Sequence, residues 1–349
     1  MLIFRRRKLL ALISHTAFFI TFLGTTNDAN AQWVSARWSV MGTSAILEYW
    51  RDDNLNSTTE SASLDNTLDD PIVTEVRHEF ERLNQLLSPW IPESELAQVN
   101  ARAAQEAVTI SPEFMALLKK SEDYFLLTHG AFDISFASAG FLYDYRAGKS
   151  PNAEQLKKAR QLIGFEHIKM TENTVRFTAD GVSIDLGGIA KGYAIDQAVA
   201  VLRQHNIAHA YVALGGDSYV LGDRRGRDWQ VGIQHPRNDK AVAMTLPVSD
   251  IAVSTSGDYE RFFIRDGERI HHILNPGTGT PSKDLVSVTI MTAHSIDADA
   301  LSTSVFVMGP EKGLEMINQL EDVSAVLINP QGQVTYSDDL AEPSADKNP

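Results

Sequence analysis

The sequence predicts an α+β fold, with mixed or antiparallel sheets flanked by helices, and three observations carry that expectation. Strand-like runs are short and bounded by glycine, aspartate and serine turns. Helical stretches show apolar residues at helical spacing, as at Val73, Val76, Phe80, Leu83 and Leu87. The two kinds of segment alternate irregularly, with neither a steady βαβ rhythm nor an internal repeat, which disfavours a doubly wound parallel sheet.

The chain opens on MLIFRRRKLLALISHTAFFITFLGTTNDANA, with a basic head (Arg5, Arg6, Arg7, Lys8), an apolar centre and small residues at Ala29 and Ala31. That is the layout of a secretory signal peptide over residues 1–31. The apolar run from Leu9 to Leu23 is broken by Ser14, His15 and Thr16 and is short for a bilayer span. Arg6 and Arg7 leave the general and twin-arginine export routes both open. One domain is expected over 32–337. It starts with WVSARWSVMGTSAILEYW, read as two strands or one long bent strand, followed by an acidic, polar surface loop at 51–70.

A helix is predicted from Ile72 to Leu87, and another from Ser111 as cap and Pro112 at the first turn to about Leu127. A third spans Ala153–Leu162, with short strands at Val175–Phe177 and Val182–Leu186. A helix over Ala190–Gln204 leads into the buried strand HAYVALGG. Strands are expected near Gln230–Ile233, Ala241–Leu246, Ile251–Ser254, Arg261–Ile264 and Val286–Thr292. Ala298–Met308 reads as a helix, another follows Pro310, and SAVLINPQGQVTYS reads as a closing hairpin. The tail 338–349, acidic and proline-containing, is expected to be disordered.

Formal net charge is −14, and removing residues 1–31 takes away four basic side chains and Asp28, leaving 27 positive against 44 negative, or −17. Such a chain is not a nucleic-acid binder. Its charge repels anionic ligands at long range, so an anion site must rest on local dipoles, a fixed cation and a metal ion. Without cysteine there is no disulfide, no thiolate metal site and no lipidated cysteine at the cleavage point.

SIDLGGIAKGYAIDQA, Ser183–Ala198, reads as an extended segment ending in Asp185, a double-glycine turn, Lys191 and a helix start. Unpaired helix-start N–H groups and a lysine suit a phosphate, and Gly187 and Gly188 allow close approach. The GxxxxGK[ST] and GxGxxG fingerprints are both absent, so an ordinary crossover turn remains the alternative. Asp299 and Thr303 stand four apart on a predicted helix, so their oxygens share a face that suits a hard cation. Alternatively Asp299 favours a helix start and Thr303 back-bonds to the preceding turn.

These stretches, together with SVMGT, HGAFDIS, STSGDYERFF, HHILNPGTGTP and DADALSTSVFVMG, in this order, resemble the ApbE family of FAD:protein FMN transferases from Trp38 to about Leu327. The resemblance implies a Mg²⁺-dependent enzyme that takes FAD as substrate, joins its FMN half through a phosphoester bond to a threonine of an acceptor protein, and releases AMP. It implies that Asp299, Thr303 and the Gly188 carbonyl hold the metal. It places Met41, Trp90, Ala131, Phe132, Asp133, Asp185 and Lys191 against FAD, with Trp90 where the family commonly has tyrosine. Asp185 is then expected to meet a ribose hydroxyl, a ring nitrogen or Lys191. His272, before ILNP, becomes the general base, titrating near neutral pH, while His271 faces the other way. Asn275 stands where the family has aspartate, and Ile134-Ser135 where it often reads Pro-Thr. The implied acceptor is a flavoprotein domain of a membrane or periplasmic redox complex with a Ser/Thr-Gly-Ala-Thr-like site. A hydrolase giving FMN and AMP, and a non-catalytic FAD-binding protein, are the competing readings.

Overall fold

The computed structural model describes residues 32–52 and 67–340, so the signal-peptide reading falls outside it, as do most of the acidic loop and the tail after Leu340. An eight-stranded sheet forms the centre. Its strands are β1 (Gln32–Val40), β2 (Thr43–Arg51), β3 (Ala210–Leu214), β4 (Asp217–Leu221), β5 (Ile251–Gly257), β6 (Ser287–Thr292), β7 (Ser324–Ile328) and β8 (Val334–Tyr336). They lie side by side in chain order, each antiparallel to the next. The opening segment is therefore two strands. Met41 (φ 50) and Gly42 (φ 72) form their two-residue turn, both in the left-handed region that matches hairpin turn to strand twist.

One face of the sheet is covered by α1 (Pro71–Leu87), α2 (Ala190–Gln204) and α3 (Ser295–Met308), with α2 and α3 side by side. Phe80, Leu83, Ile195, Ala198, Ala298 and Phe306 are among the side chains this layer buries. Each large apolar group so buried contributes about 1.5–3 kcal/mol. The hairpin Trp229–Gln234/Val242–Val248 covers the other face, packing Ile233 onto Val253, Met291 and Val326. All six residues of β6 are buried because it is covered on both sides.

Three expectations change. Val182–Leu186 pairs with no strand among the described residues; the Asn100 side chain serves it instead, accepting from Ile184 N at 2.8 Å and donating to Ile184 O at 2.9 Å. The end of the acidic loop is ordered: Thr67–Asp69 is a 3-10 turn, and Asp70 caps α1 and pairs with Arg51. The tail's first residues form a turn, Asp339 accepting from Ser337 and Ser324 at 2.5 Å each. Helix Glu95–Arg102 and strands β4 and Glu268–His271 are additions to the sequence reading. The first hides because its core contacts are only Leu96 and Val99, and β4 because its leading Gly-Gly-Asp-Ser spells a turn.

Candidate active site

The N-termini of α2 and α3 meet at one end of the sheet, and the packing there is unusually close. A Cβ on Gly192 would collide with the Ser295 carbonyl, so only glycine lets the two helix starts touch. Neither helix is capped by its own preceding residue. Asp299 of α3 accepts from Gly192 N of α2 at 3.0 Å, while Asp196 of α2 accepts from Ser295 N and Ile296 N of α3 at 2.8 and 3.0 Å. Asp299 thus does favour a helix start, but that of the neighbouring helix.

Lys191 lies in this junction. Its Nζ is 3.0 and 3.1 Å from the two oxygens of Asp299, 2.9 Å from Asp217 Oδ2 and 3.2 Å from the Gly187 carbonyl. Asp217, at the start of β4, is 3% exposed, and its other oxygen accepts from Ser254 at 2.5 Å. From Ser254 a chain of hydroxyls runs through Ser302 (3.0 Å) and Ser256 (2.8 Å) to Thr303 (3.4 Å). Thr303 Oγ1 is therefore turned toward β5 and makes no back-bond to its own helix among the described residues, unlike Ser304, which bonds Ala300 O at 2.6 Å. A Cβ on Gly188 would lie 3.4 Å from Thr303 Oγ1 and 3.2 Å from the Phe132 ring, which floors the double-glycine loop.

Asp185 accepts from Gly187 N at 2.6 Å, fixing the turn rather than bonding Lys191. Arg261 adds a second cation, its carbonyl receiving His272 N at 3.1 Å and its guanidinium reaching the Met41-Gly42 turn, where a Cβ on Gly42 would be 3.4 Å away. Asp185, Asp217, Glu260 and Asp299 lie within electrostatic reach of Lys191 and Arg261. Four carboxylates against two cations leave a formal −2, with Asp217 and Asp299 buried, Asp185 and Lys191 half-buried, and Glu260 and Arg261 exposed at the rim. Burial raises Asp185, Glu260 and Asp299 above the usual carboxylate range, with the Asp217 charge adding to the last two. Burial opposes the charge on Lys191, but Asp217 and Asp299 outweigh it and hold the ammonium protonated. The oxygens of Asp299 and Thr303 beside the Gly188 loop, with an excess of negative charge around them, fit a hard divalent cation.

His272 follows strand Glu268–His271 directly, and its Nδ1 is buried without a hydrogen-bond partner among the described residues. Burial, then the positive charge of Arg261, depresses the imidazole to about 3. This differs from the expectation of a near-neutral titration: the ring is neutral across the physiological range. His271 faces the core, edge-on to Phe306, with Nε2 2.7 Å from Ser282 O.

The flavin contacts implied by resemblance are brought together less completely. Met41 and Phe132 join the cluster through Arg261 and Gly188, and half-buried Ala131 precedes Phe132. Trp90 stands 75% exposed, edge-on to Phe141 at 5.5 Å, outside the Lys191 cluster. Asp133 is turned inward, 6% exposed, accepting from Ser135 N and Oγ at 2.9 and 2.6 Å, and burial raises it to about 6. Asn275 Oδ1 accepts from Gly277 N at 2.9 Å, which spends it on a turn. Asp217, Arg261 and Glu260 were missed as individuals. A usable signal existed for the first, since Gly215-Gly216-Asp217 repeats the glycine-pair-and-acid grammar of Asp185-Leu186-Gly187-Gly188.

Comparison with known proteins places this arrangement. A Treponema pallidum protein named FAD:protein FMN transferase is 34% identical over 278 residues, covering 74% of this chain and 77% of its own. A Vibrio cholerae protein of the same name is 32% identical over 248 residues, covering 69% and 74%. The crystal structure of the ApbE protein from Thermotoga maritima superimposes with TM-score 0.76 at 29% identity, over 88% of this chain and 98% of that one. The Vibrio cholerae flavin transferase ApbE gives 0.75 at 26%, over 88% and 97%. With the ApbE family model matching residues 41–327, which contain every element of the Lys191–Asp299 junction, this chain belongs to the ApbE family.

Proposed function

We propose that the protein transfers the FMN moiety of FAD to a threonine of an acceptor protein, with Mg²⁺ as cofactor, after export to the periplasm. The observation that supports the reading is the junction where Lys191 meets the buried Asp217 and Asp299, with Thr303 and the Gly188 loop beside them. Asp299, Thr303 and the Gly188 carbonyl would hold the metal, which when bound neutralises pyrophosphate charge. Lys191, 27% exposed, supplies a point charge to the same phosphates, and Arg261 a second. Flavin would rest on Met41, Ala131 and Phe132, with Trp90 as an outer stacking face. His272 takes the proton of the acceptor hydroxyl as its oxygen bonds to the FMN phosphorus. The bridging P–O bond breaks, and its electrons leave with AMP. Excluding water then falls to the acceptor, whose docked surface closes the site. The acceptor is a flavoprotein domain of an exported or membrane redox complex.

The test is to mix the protein lacking residues 1–31 with FAD, MgCl₂ and a candidate acceptor domain, following AMP by chromatography and acceptor mass. A mass gain of one FMN residue with equimolar AMP supports transfer. AMP with free FMN and an unchanged acceptor means hydrolysis, and no AMP means a carrier.

A further inference from the structure

Lys191 is shared between two buried carboxylates that are not equivalent. Asp299 has a second obligation, the Gly192 N–H at 3.0 Å. It therefore keeps a donor if the ammonium withdraws. Asp217 Oδ2 has no hydrogen-bond partner among the described residues, and Lys191 Nζ at 2.9 Å is the cation that neutralises it. Its other oxygen is fixed by Ser254 at 2.5 Å, so the carboxylate cannot swing to another donor. Without Lys191 each carboxylate keeps one donor, Ser254 for Asp217 and Gly192 N for Asp299, but Asp217 is not among the residues proposed to hold the metal, so it can stay with the ammonium where Asp299 cannot.

We infer that Asp217 is the positioning residue of the site: it is the permanent counter-ion of Lys191, and it keeps the ammonium in place when Asp299 is given over to a divalent cation. This rests on the metal reading above, though the lysine anchor itself can be read without metal. With Asp217 present, the ion takes Asp299 and the lysine still has a partner. Without it, Asp299 is, among the described residues, the one carboxylate left at ion-pair distance from Lys191, and lysine and metal compete for the same oxygens. Asp217 touches neither substrate nor reacting atoms in this role.

The experiment uses the protein from Gln32 onward, labelled with ¹⁵N-lysine. A held ammonium exchanges slowly with water and gives a resolved ¹H–¹⁵N signal, assigned to Lys191 by its loss in Lys191→Met. The signal should survive in Asp299→Asn and vanish in Asp217→Asn. Survival in Asp217→Asn, loss in Asp299→Asn, or no protected signal in the unaltered protein overturns the inference. Should Asp217→Asn lack the native circular dichroism spectrum, Asp217→Ser, smaller than the aspartate it replaces, repeats the measurement. Titration with MgCl₂ by calorimetry then reads the competition. Asp217→Asn should weaken Mg²⁺ at least tenfold, and the same change made on Lys191→Met should cost less than twofold. An equal loss in both backgrounds means that Asp217 acts on the ion directly and removes the positioning role. Failure of acceptor labelling alone would fall on the proposed function and leave the lysine result standing.

Discussion

Asp196 and Asp299 cap each other's helices: each is carried on one helix and accepts from the backbone at or near the N-terminus of the other. The positive ends of two helix dipoles are thereby brought to one point with buried acids already placed there. Under the proposed function, this arrangement is what would let a protein of net charge −14 bind a phosphate there. The local field is set by the helix ends, Lys191 and Arg261 against Asp185, Asp217, Glu260 and Asp299, and the bulk charge is screened within about 8–10 Å at physiological salt.

The glycine at the junction gives the first test. In an open helix Gly→Ala gains up to about 1 kcal/mol. Gly192→Ala should instead lose roughly 2–3 kcal/mol, because the new methyl meets the Ser295 carbonyl and α2 must move from α3. Denaturant melts decide by sign, and a stabilised variant would refute the close contact.

Asp196→Ala should cost about 1–2 kcal/mol, the scale of a lost N-cap, since Ser295 N and Ile296 N both lose their acceptor. Asp196→Asn keeps one of the two acceptor oxygens and should cost less than the alanine change. Equal melting temperatures for the two variants would show that the cap contributes nothing.

Most of the main sheet was legible because its strands are apolar runs broken by glycine turns, and α1 because its core face repeats at helical spacing. What stayed hidden was made by tertiary contact. Asp217 reads as a turn residue, and only the pairing of β4 with β5 sets it opposite Ser254 and within 2.9 Å of Lys191. Arg261 lies at the foot of a hairpin whose other end is His272, and nothing in local spacing says that the two ends meet. Asp133 shows the reverse: a motif aspartate that the fold turns inward onto Ser135.

Asp133 therefore carries a pH signature. Its folded value of about 6 lies above the ordinary 3.8, so the folded state binds the proton more tightly than the unfolded chain. The stability it contributes is complete below about pH 3.8 and is lost as pH rises through about 6. Asp133→Asn retains an acceptor for both Ser135 bonds and has no charge to bury. It should match wild type near pH 4 and exceed it above pH 6 by an amount on the order of 2–3 kcal/mol. A constant difference across that range would show that the carboxylate is not the cause.

For the metal reading, Asp299→Asn separates charge from packing better than alanine does. The amide oxygen can still accept from Gly192 N, so melting should stay within a few degrees of wild type while Mg²⁺-dependent turnover is lost. Asp299→Ala should lose turnover and about 1–2 kcal/mol besides, from the orphaned N–H. Thr303→Ala removes only a neutral oxygen and should raise the Mg²⁺ requirement without abolishing transfer. Full activity of Asp299→Asn across a magnesium titration excludes Asp299 from the metal shell.

His272 sets the last test, because its depressed pKa changes what a pH profile reports. An imidazole held at about 3 is unprotonated across pH 5–8, so it contributes no limb to transfer in that interval. His272→Ala should still lower transfer about a hundredfold or more, the scale for a positioned proton acceptor, with FAD binding nearly unchanged. The group also predicts acid sensitivity. The unfolded chain takes the proton near 6.5 and the folded one only near 3, so stability falls as pH drops through that window and is highest above it. His272→Gln has no such proton and should unfold at a lower pH than wild type when acid is titrated at constant temperature. A wild-type rate limb near 6.5 that disappears in His272→Gln would show that the ring titrates in the open site. Near-normal transfer by His272→Ala with intact FAD binding would remove it from the mechanism altogether.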